Sequence, residues 1–391
     1  MRTQPPLVLL LAALLAPAAL LSCTLQPTSD SAEDRLSANA TPPQEKGGEE
    51  EFGPYEPVEN WPQPLVDHEG WTWGSTAGVY AETPDRIWIV QRGELPLPAD
   101  AAPFTPYGML NPPRVAARGT PRWEHSIIVV DGNGALVQTW PQFDYIFAQE
   151  GGRGPHQIKM SPYDPEKHVW VVDDNLHQIF KFTYDGELVL TLGETGVPGD
   201  DETHFGRPSD IAWLPDGTFF VSDGYINNRV VKFDTEGHYL MEWGSEPADP
   251  NNPGPSEFAD VHGVATDDQR RVYVADRSNS RILVFDENGE YLDEWPNIRS
   301  PDALFMTADQ HLWVADGETD KILKYDLNGT FLYGWGTAGS YPGALAGAHQ
   351  ISVDQDGNLY LAEIYNGRAQ KFRPKSGADP TKLVGREIGR L

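Results

Sequence analysis

Tyr273-Val274-Ala275-Asp276 is one of five stretches in which a short apolar run closes on an acid. The others are Trp170-Val171-Val172-Asp173, Phe220-Val221-Ser222-Asp223, Trp313-Val314-Ala315-Asp316 and Tyr360-Leu361-Ala362-Glu363, and the acids follow one another at intervals of 50, 53, 40 and 47 residues. A degenerate sixth copy, Trp88-Ile89-Val90-Gln91, precedes them. Four copies continue into a second apolar run (Ile179-Phe180-Lys181-Phe182, Val230-Val231-Lys232-Phe233, Ile282-Leu283-Val284-Phe285, Ile322-Leu323-Lys324-Tyr325). A turn follows (Asp185-Gly186, Glu236-Gly237, Asn288-Gly289, Asn328-Gly329), then a run that ends at Leu192, Trp243, Trp295 or Trp335. Alternating β-branched and aromatic residues punctuated by such turns are antiparallel hairpins. Repeats of this length with four strands each, A to D, are propeller blades. Six copies therefore predict an all-β, six-bladed β-propeller within residues 53–391. Blade 6 shows strands A to C near 350–354, 359–363 and 369–373, but no fourth strand. Since an open ring leaves apolar faces bare, residues 54–63 or 382–388 are expected to supply it.

The composition agrees. The chain has 391 residues, 38 Gly, 34 Pro and 12 Trp, and no sustained 3.6-residue periodicity outside its N-terminus. Its net charge of −29 repels phosphate backbones and excludes nucleic acid as the main partner. Residues 1–22 carry one charge, Arg2, and an apolar run from Leu7 to Leu21 that is too short for a membrane span. The run ends Leu20-Leu21-Ser22-Cys23, which resembles a bacterial lipoprotein signal, with the chain's one cysteine as the lipidated residue. Thr24 rather than Asp at the following position points to the outer membrane if the host is Gram-negative. Residues 24–52, rich in Thr, Pro, Ser, Glu and Gly and closing on Glu49-Glu50-Glu51, read with Cys23 as a flexible acidic tether. The expected protein is extracytoplasmic, lipid-anchored and monomeric.

The acid serves as a ruler. Fourteen residues before Gln91, Asp223, Asp276, Asp316 and Glu363 stand Ala77, Ser209, His262, Asp302 and His349. In blade 2, whose A–B turn is three residues longer, His156 stands 17 before Asp173. This position precedes strand A, the innermost strand, at one mouth of the central channel. Histidine occupies it in blades 2, 4 and 6, which are 120° apart in a six-fold ring. Three imidazoles converging on an axis with one position open is a catalytic zinc arrangement, so His156, His262 and His349 are the expected metal ligands and Zn²⁺ the expected cofactor. The other seven histidines share no such register.

Strand B ends at the same mouth, so residues after the register acid face the centre. These are Arg92, Arg277 and Tyr225. Guanidiniums fit a carboxylate, and a phenol acts as a base where neighbouring cations lower its pKa. A blade 1 insertion near 94–122, carrying Arg114, Arg118 and Arg122, leaves from this mouth and is a candidate binding lid.

The strand pattern and period resemble NHL-repeat propellers over residues ~65–375. In order, His156-Gln157-Ile158, Asp173 with His177-Gln178-Ile179-Phe180-Lys181, and His204-Phe205 to Pro208-Ser209-Asp210-Ile211-Ala212 are followed by Val221-Ser222-Asp223-Gly224-Tyr225, Arg229, Val261-His262 and Val274-Ala275-Asp276-Arg277. The series resembles the peptidyl-α-hydroxyglycine α-amidating lyase domain, most specifically over 202–281. The resemblance implies zinc on His156, His262 and His349, Tyr225 as base, and Arg277 and Arg92 lining the site. It implies cleavage of an N-acyl-α-hydroxyglycine, with its terminal carboxylate, to a primary amide and glyoxylate. This sequence departs from it in two places. The family's disulfide positions correspond to Gly206 with Ile226 and to Tyr273 with Val284, and Gln350 stands where the family has an aspartate that binds structural calcium. The resemblance also leaves no stretch for the copper monooxygenase domain of the bifunctional enzyme.

Two other functions fit a propeller: a non-catalytic scaffold that binds peptides or glycans, with structural zinc closed by Asp302 or Ser209, or a metal-dependent lyase or hydrolase with another small substrate. The sequence has no His-Glu-x-x-His helix, phosphate loop or Gly-x-Ser-x-Gly elbow.

Overall fold

The computed structural model describes residues 50–65, 70–96, 121–148 and 153–390. Cys23, His68, Arg114 and Arg118 lie outside them. Strands A to D of blade 1 are Thr76–Thr83, Arg86–Gln91, Ile127–Val130 and Leu136–Thr139. Blade 2 comprises Gln157–Met160, Val169–Asp173, Gln178–Phe182 and Leu188–Leu192. Blade 3 comprises Pro208–Trp213, Phe219–Asp223, Arg229–Phe233 and Tyr239–Trp243. Blade 4 comprises Val261–Thr266, Val272–Asp276, Arg281–Phe285 and Tyr291–Pro296, and blade 5 comprises Pro301–Met306, Leu312–Asp316, Lys321–Tyr325 and Phe331–Trp335. Each blade is one antiparallel four-stranded sheet. The fold is a six-bladed β-propeller.

Blade 6 is built from both ends of the described chain. Strands A to C are Ala348–Val353, Leu359–Glu363 and Arg368–Pro374, and the fourth is Tyr55–Pro57, paired antiparallel with Arg368–Pro374. Of the two segments expected to close the ring, 54–63 therefore supplies the strand. The other has a different use. Residues 384–390 strap the opposite mouth: Val384 N–H donates to Tyr55 Oη (2.8 Å), Ala308 N–H to the Arg386 carbonyl (2.8 Å), Ile388 N–H to the Met306 carbonyl (3.0 Å), and Arg390 Nη1 to the Ala81 carbonyl (2.7 Å).

The core is layered between blades. One apolar cluster fills each interface: Phe220, Val230, Val264 and Val274 between blades 3 and 4, for example, and Tyr55, Trp313, Trp335, Leu361 and Phe372 between blades 5 and 6. Strands A to C are buried on both faces. Strand D of blades 2 to 5 carries exposed residues on its outer side. Glu50 and Glu51, read from sequence as the end of a solvated spacer, instead hydrogen-bond to the ring, Glu50 to Tyr333 Oη (2.5 Å) and Lys382 Nζ (2.7 Å), Glu51 to Tyr341 Oη.

The ruler has a physical basis. In blades 3 to 6 the register acid accepts a hydrogen bond from the backbone N–H 17 residues before it: Gly206 to Asp223 (2.7 Å), Ala259 to Asp276 (2.7 Å), Arg299 to Asp316 (3.0 Å) and Ala346 to Glu363 (3.1 Å). The pinned amide lies three residues ahead of the register position, so the acid at the end of strand B fixes the chain leading into strand A. In three blades an arginine at the start of strand C completes the clamp. Arg229, Arg281 and Arg368 each pair with the acid and donate to carbonyls of the same incoming loop. The two positions related to each family disulfide are neighbours here. Ile226 N–H donates to the Gly206 carbonyl (2.8 Å), and Tyr273 faces Val284 across strands B and C within the core.

Tyr55 is fully buried against Trp335 and Phe372 and holds the end of the strap. Tyr55→Ala is expected to cost about 3–5 kcal/mol, and removal of residues 50–57 more. Thermal unfolding of residues 41–391 checks both, and melting curves equal to wild type would show that the ring does not depend on this strand.

Candidate active site

The axial site is a property of register. His156, His262 and His349 are fully buried, and their ligand nitrogens lie within 4.8 Å of one another. Ring centroids are 4.5–5.0 Å apart. Each Nδ1 meets a backbone carbonyl of the next blade: His156 that of Ser209 (2.7 Å), His262 that of Asp302 (2.6 Å), His349 that of Ala77 (2.8 Å). Those acceptors occupy the register position in blades 3, 5 and 1. The six positions thus alternate between imidazole and the carbonyl that orients it. A carbonyl can only accept, so Nδ1 carries the proton and the Nε2 lone pair faces the axis.

Burial holds all three imidazoles below the ordinary histidine range, His349 down to about 3. The guanidiniums add to this, Arg277 chiefly for His262 and Arg92 for His349, and for His156 a proton on His349 or His262 would oppose a second one. Three neutral, oriented nitrogens form a donor set that fits zinc. Among the described residues one other group, Asp234, Glu236 and His238, has comparable spacing, and it is a surface turn.

The two register residues that could add a fourth ligand are engaged elsewhere. The Asp302 carboxylate is held by Ser300 Oγ (2.9 Å) and lies 3.6 Å from Arg277, and Ser209 Oγ is engaged by Ser222 and the Val261 carbonyl. Neither residue joins the three histidines, so neither closes the site in the way a scaffold's structural zinc would need. Calcium does not fit at Gln350 either. Its Oε1 accepts from Val79 N–H (3.0 Å) and its Nε2 donates to the Ile158 carbonyl (2.8 Å), so the amide ties blades 1 and 2 to blade 6.

Tyr225 reaches this centre. Its Oη is 3.0 Å from His156 Nε2 and 2.7 Å from His262 Nε2. Gly224 makes the approach possible: an added Cβ there would lie 1.8 Å from the Val261 carbonyl oxygen, next to His262. Burial pushes the phenol upward, while Arg277 and Arg92 pull it down, and burial prevails. The expectation that guanidiniums make this phenol acidic is therefore corrected. The arginines moderate a shift that burial dominates.

Arg92 is buried beside the loop that carries His156. It donates through Nε to the Pro155 carbonyl (3.2 Å) and through Nη2 to Asp174 (3.3 Å). Arg277 is paired with Asp260 and lies over the Tyr225 ring at 5.1 Å. The sequence reading missed Arg207, whose guanidinium sits 4.2 Å from the centroid of Tyr225 and pairs with the other oxygen of Asp174. It also missed the two carboxylates. Asp174 spans Arg92 and Arg207, and Asp260 orients Arg277. All three lie within three residues of a register position or register acid, which is the signal that could have found them. Arg122 does not face the histidines: it pairs with Glu94 (2.6 Å) and covers Trp71.

Parts of the chain are similar in sequence to known proteins. The NHL repeat family model matches residues 258–285. Over 178 residues, 44% of this chain, it is 36% identical to peptidyl-glycine alpha-amidating monooxygenase B of Xenopus laevis. It is 38% identical over 133 residues, 34% of the chain, to a probable peptidyl-alpha-hydroxyglycine alpha-amidating lyase of Caenorhabditis elegans. It is 29% identical over 253 residues, 59% of the chain, to peptidyl-alpha-hydroxyglycine alpha-amidating lyase 1 of Drosophila melanogaster. The matched segments span 19%, 36% and 46% of those relatives. The chain contains an NHL repeat and is homologous to peptidyl-α-hydroxyglycine amidating lyases.

Two outcomes test the site. Wild type is expected to hold one zinc per chain by elemental analysis after dialysis, and His262→Ala to hold none; equal zinc in both would dissociate the metal from the histidines. In metal-free protein His349 is neutral when folded down to about pH 3, whereas unfolded it takes a proton near 6.5. The unfolded state therefore binds more protons in that window. The stability of wild type relative to His349→Gln should fall as pH drops from about 6.5 towards 3, and a difference constant with pH in urea titrations would contradict the buried neutral imidazole.

Proposed function

We propose that this propeller is a zinc-dependent carbon–nitrogen lyase that cleaves N-acyl- or peptidyl-α-hydroxyglycine to a primary amide and glyoxylate. The observation that carries the reading is Tyr225 Oη within 3.0 Å of two Nε2 atoms of a buried three-histidine cluster that could hold a metal. Homology to the amidating lyases supports it.

His156, His262 and His349 would hold the ion, which when bound supplies a Lewis acid that favours ionisation of a substrate hydroxyl. Tyr225 lies beside that hydroxyl and would take its proton at Oη in the phenolate form, which burial opposes and which the charge of the bound ion would join Arg277 and Arg92 in favouring. Arg277 and Arg92 face the same centre, and their fork geometry holds the substrate's terminal carboxylate. Asp260 and Asp174 fix the guanidinium planes, so binding the carboxylate requires little reordering. As the C–N bond breaks, its electron pair leaves on nitrogen, the hydroxyl carbon becomes the aldehyde of glyoxylate, and the proton taken by Tyr225 is available to the departing amide.

Independently of the lyase reading, lipidation at Cys23 would anchor the protein to a bacterial membrane on the extracytoplasmic side.

The test is glyoxylate release from an N-acyl-α-hydroxyglycine by zinc-loaded residues 24–391. Tyr225→Phe should lower kcat about 10²–10⁴-fold with zinc content unchanged. Full activity in Tyr225→Phe would remove the phenol from the reaction, and no release by zinc-loaded wild type would overturn the lyase reading.

A further inference from the structure

We propose that the cleft between blades 3 and 4 is the acyl-side subsite of this reaction, and that it selects an apolar or basic residue immediately before the α-hydroxyglycine. The proposal rests on the lyase reading and adds the part of the substrate that reading leaves unassigned.

The cleft has a volume of about 280 Å³. Its walls are the B–C turn of blade 3, the B–C turn of blade 4, and the loop joining strand D of blade 3 to strand A of blade 4. In an antiparallel blade all three belong to the mouth where strand A begins, the mouth of the three histidines. Tyr225 lines this cleft as well as reaching the histidines. It is therefore the partition between axis and cleft. At the opposite mouth the axial cavity is about 50 Å³, lined by Glu387 and Ile388 of the C-terminal strap, and a surface cleft of about 270 Å³ between the A–B turns of blades 2 and 3 includes neither Tyr225 nor a histidine of the axial site.

Substrate chemistry assigns the direction. The reacting carbon carries a hydroxyl, a carboxylate and an acylated nitrogen. The hydroxyl belongs beside Tyr225 Oη and the imidazoles, and the carboxylate beside Arg277 and Arg92. The acyl group leaves in the remaining direction, and the cleft is the space there that shares Tyr225 with the axial site.

Its lining defines what it accepts. Ile226, about half exposed, Pro247 and Pro250 present apolar surface, backed by the buried ring of Phe258. The ionisable groups in the lining besides Tyr225 are two acids, Glu246 and Asp260, with no lysine or arginine. Asp260 is neutralised by Arg277, whereas Glu246 is exposed at the rim. An aromatic or aliphatic side chain gains buried contact here, a basic one gains Glu246 as well, and an acidic one is repelled.

The experiment compares kcat/KM for N-acetyl-α-hydroxyglycine with dipeptidyl substrates bearing Phe, Lys or Glu before the hydroxyglycine. Wild type should prefer Phe over acetyl by about tenfold or more, and Lys over Glu. Ile226→Trp, which fills the cleft from an exposed position, should lower the Phe-to-acetyl ratio about tenfold, mainly through KM. Glu246→Lys should invert the Lys-to-Glu preference. Turnover with both ratios the same in wild type and variants overturns the subsite and leaves the lyase reading intact. No glyoxylate from any substrate with wild type overturns the lyase reading and the subsite with it.

Discussion

A propeller blade cannot bury its own faces, and everything else in this molecule follows from that constraint. Each blade hides its apolar residues against two neighbours, so the sixth must meet the first. Here Tyr55–Pro57 closes blade 6 from the front of the described chain, and the strap ending at Arg390 crosses from blade 5 to blade 1 behind it. The geometry of the three-histidine cluster depends on this closure. His156, His262 and His349 are 87 to 193 residues apart in sequence, and they meet because six blades complete a circle.

The same periodicity explains why the site is accurate without any element dedicated to it. One clamp, an acid accepting from the amide 17 residues before it, sets the start of strand A in blades 3 to 6. With that position fixed, a histidine placed there points inward, and the carbonyl at the same position of the next blade receives its Nδ1–H. Alternating the residue type around the ring converts a structural repeat into three ligands and three orienting groups. Little else is needed to fix the tautomer, because a carbonyl accepts and does not donate.

This is why so much was legible in the sequence. The acid, the turn and the histidine repeat with the fold, and counting along the chain is equivalent to walking round the ring. The closing strand was less legible, since Tyr55-Glu56-Pro57 is too short to carry a pattern of its own. Arg207, Asp174 and Asp260 lie beside register positions, but their pairing is not part of the repeat. Asp174 of blade 2 pairs with Arg207 of blade 3, a contact between blades that no single-blade template contains, and Asp260 is identified by its pairing with Arg277. Gln350 was legible as a departure, but only its two hydrogen bonds show that an amide there bridges three blades. The acidity of Tyr225 was misread because the cations nearby were easier to count than the burial that opposes them.

The arrangement of charge around Tyr225 resolves an apparent conflict. Three guanidiniums beside a cation-binding centre should repel both the ion and one another. Each is instead held by a carboxylate, Arg92 and Arg207 by Asp174 and Arg277 by Asp260, so the local field is close to balanced before any substrate arrives. Each carboxylate engages part of a five-donor fork; Nη1 of Arg92 and of Arg207 makes no hydrogen bond among the described residues. The aspartates thus fix the planes and leave donors available to a further anion. On the proposed lyase reading that anion is the substrate's carboxylate, whose charge would offset the ion and the one guanidinium in excess of the two aspartates. A neutral ligand would not, and this asymmetry would favour an anion at this mouth even in a protein whose net charge is −29.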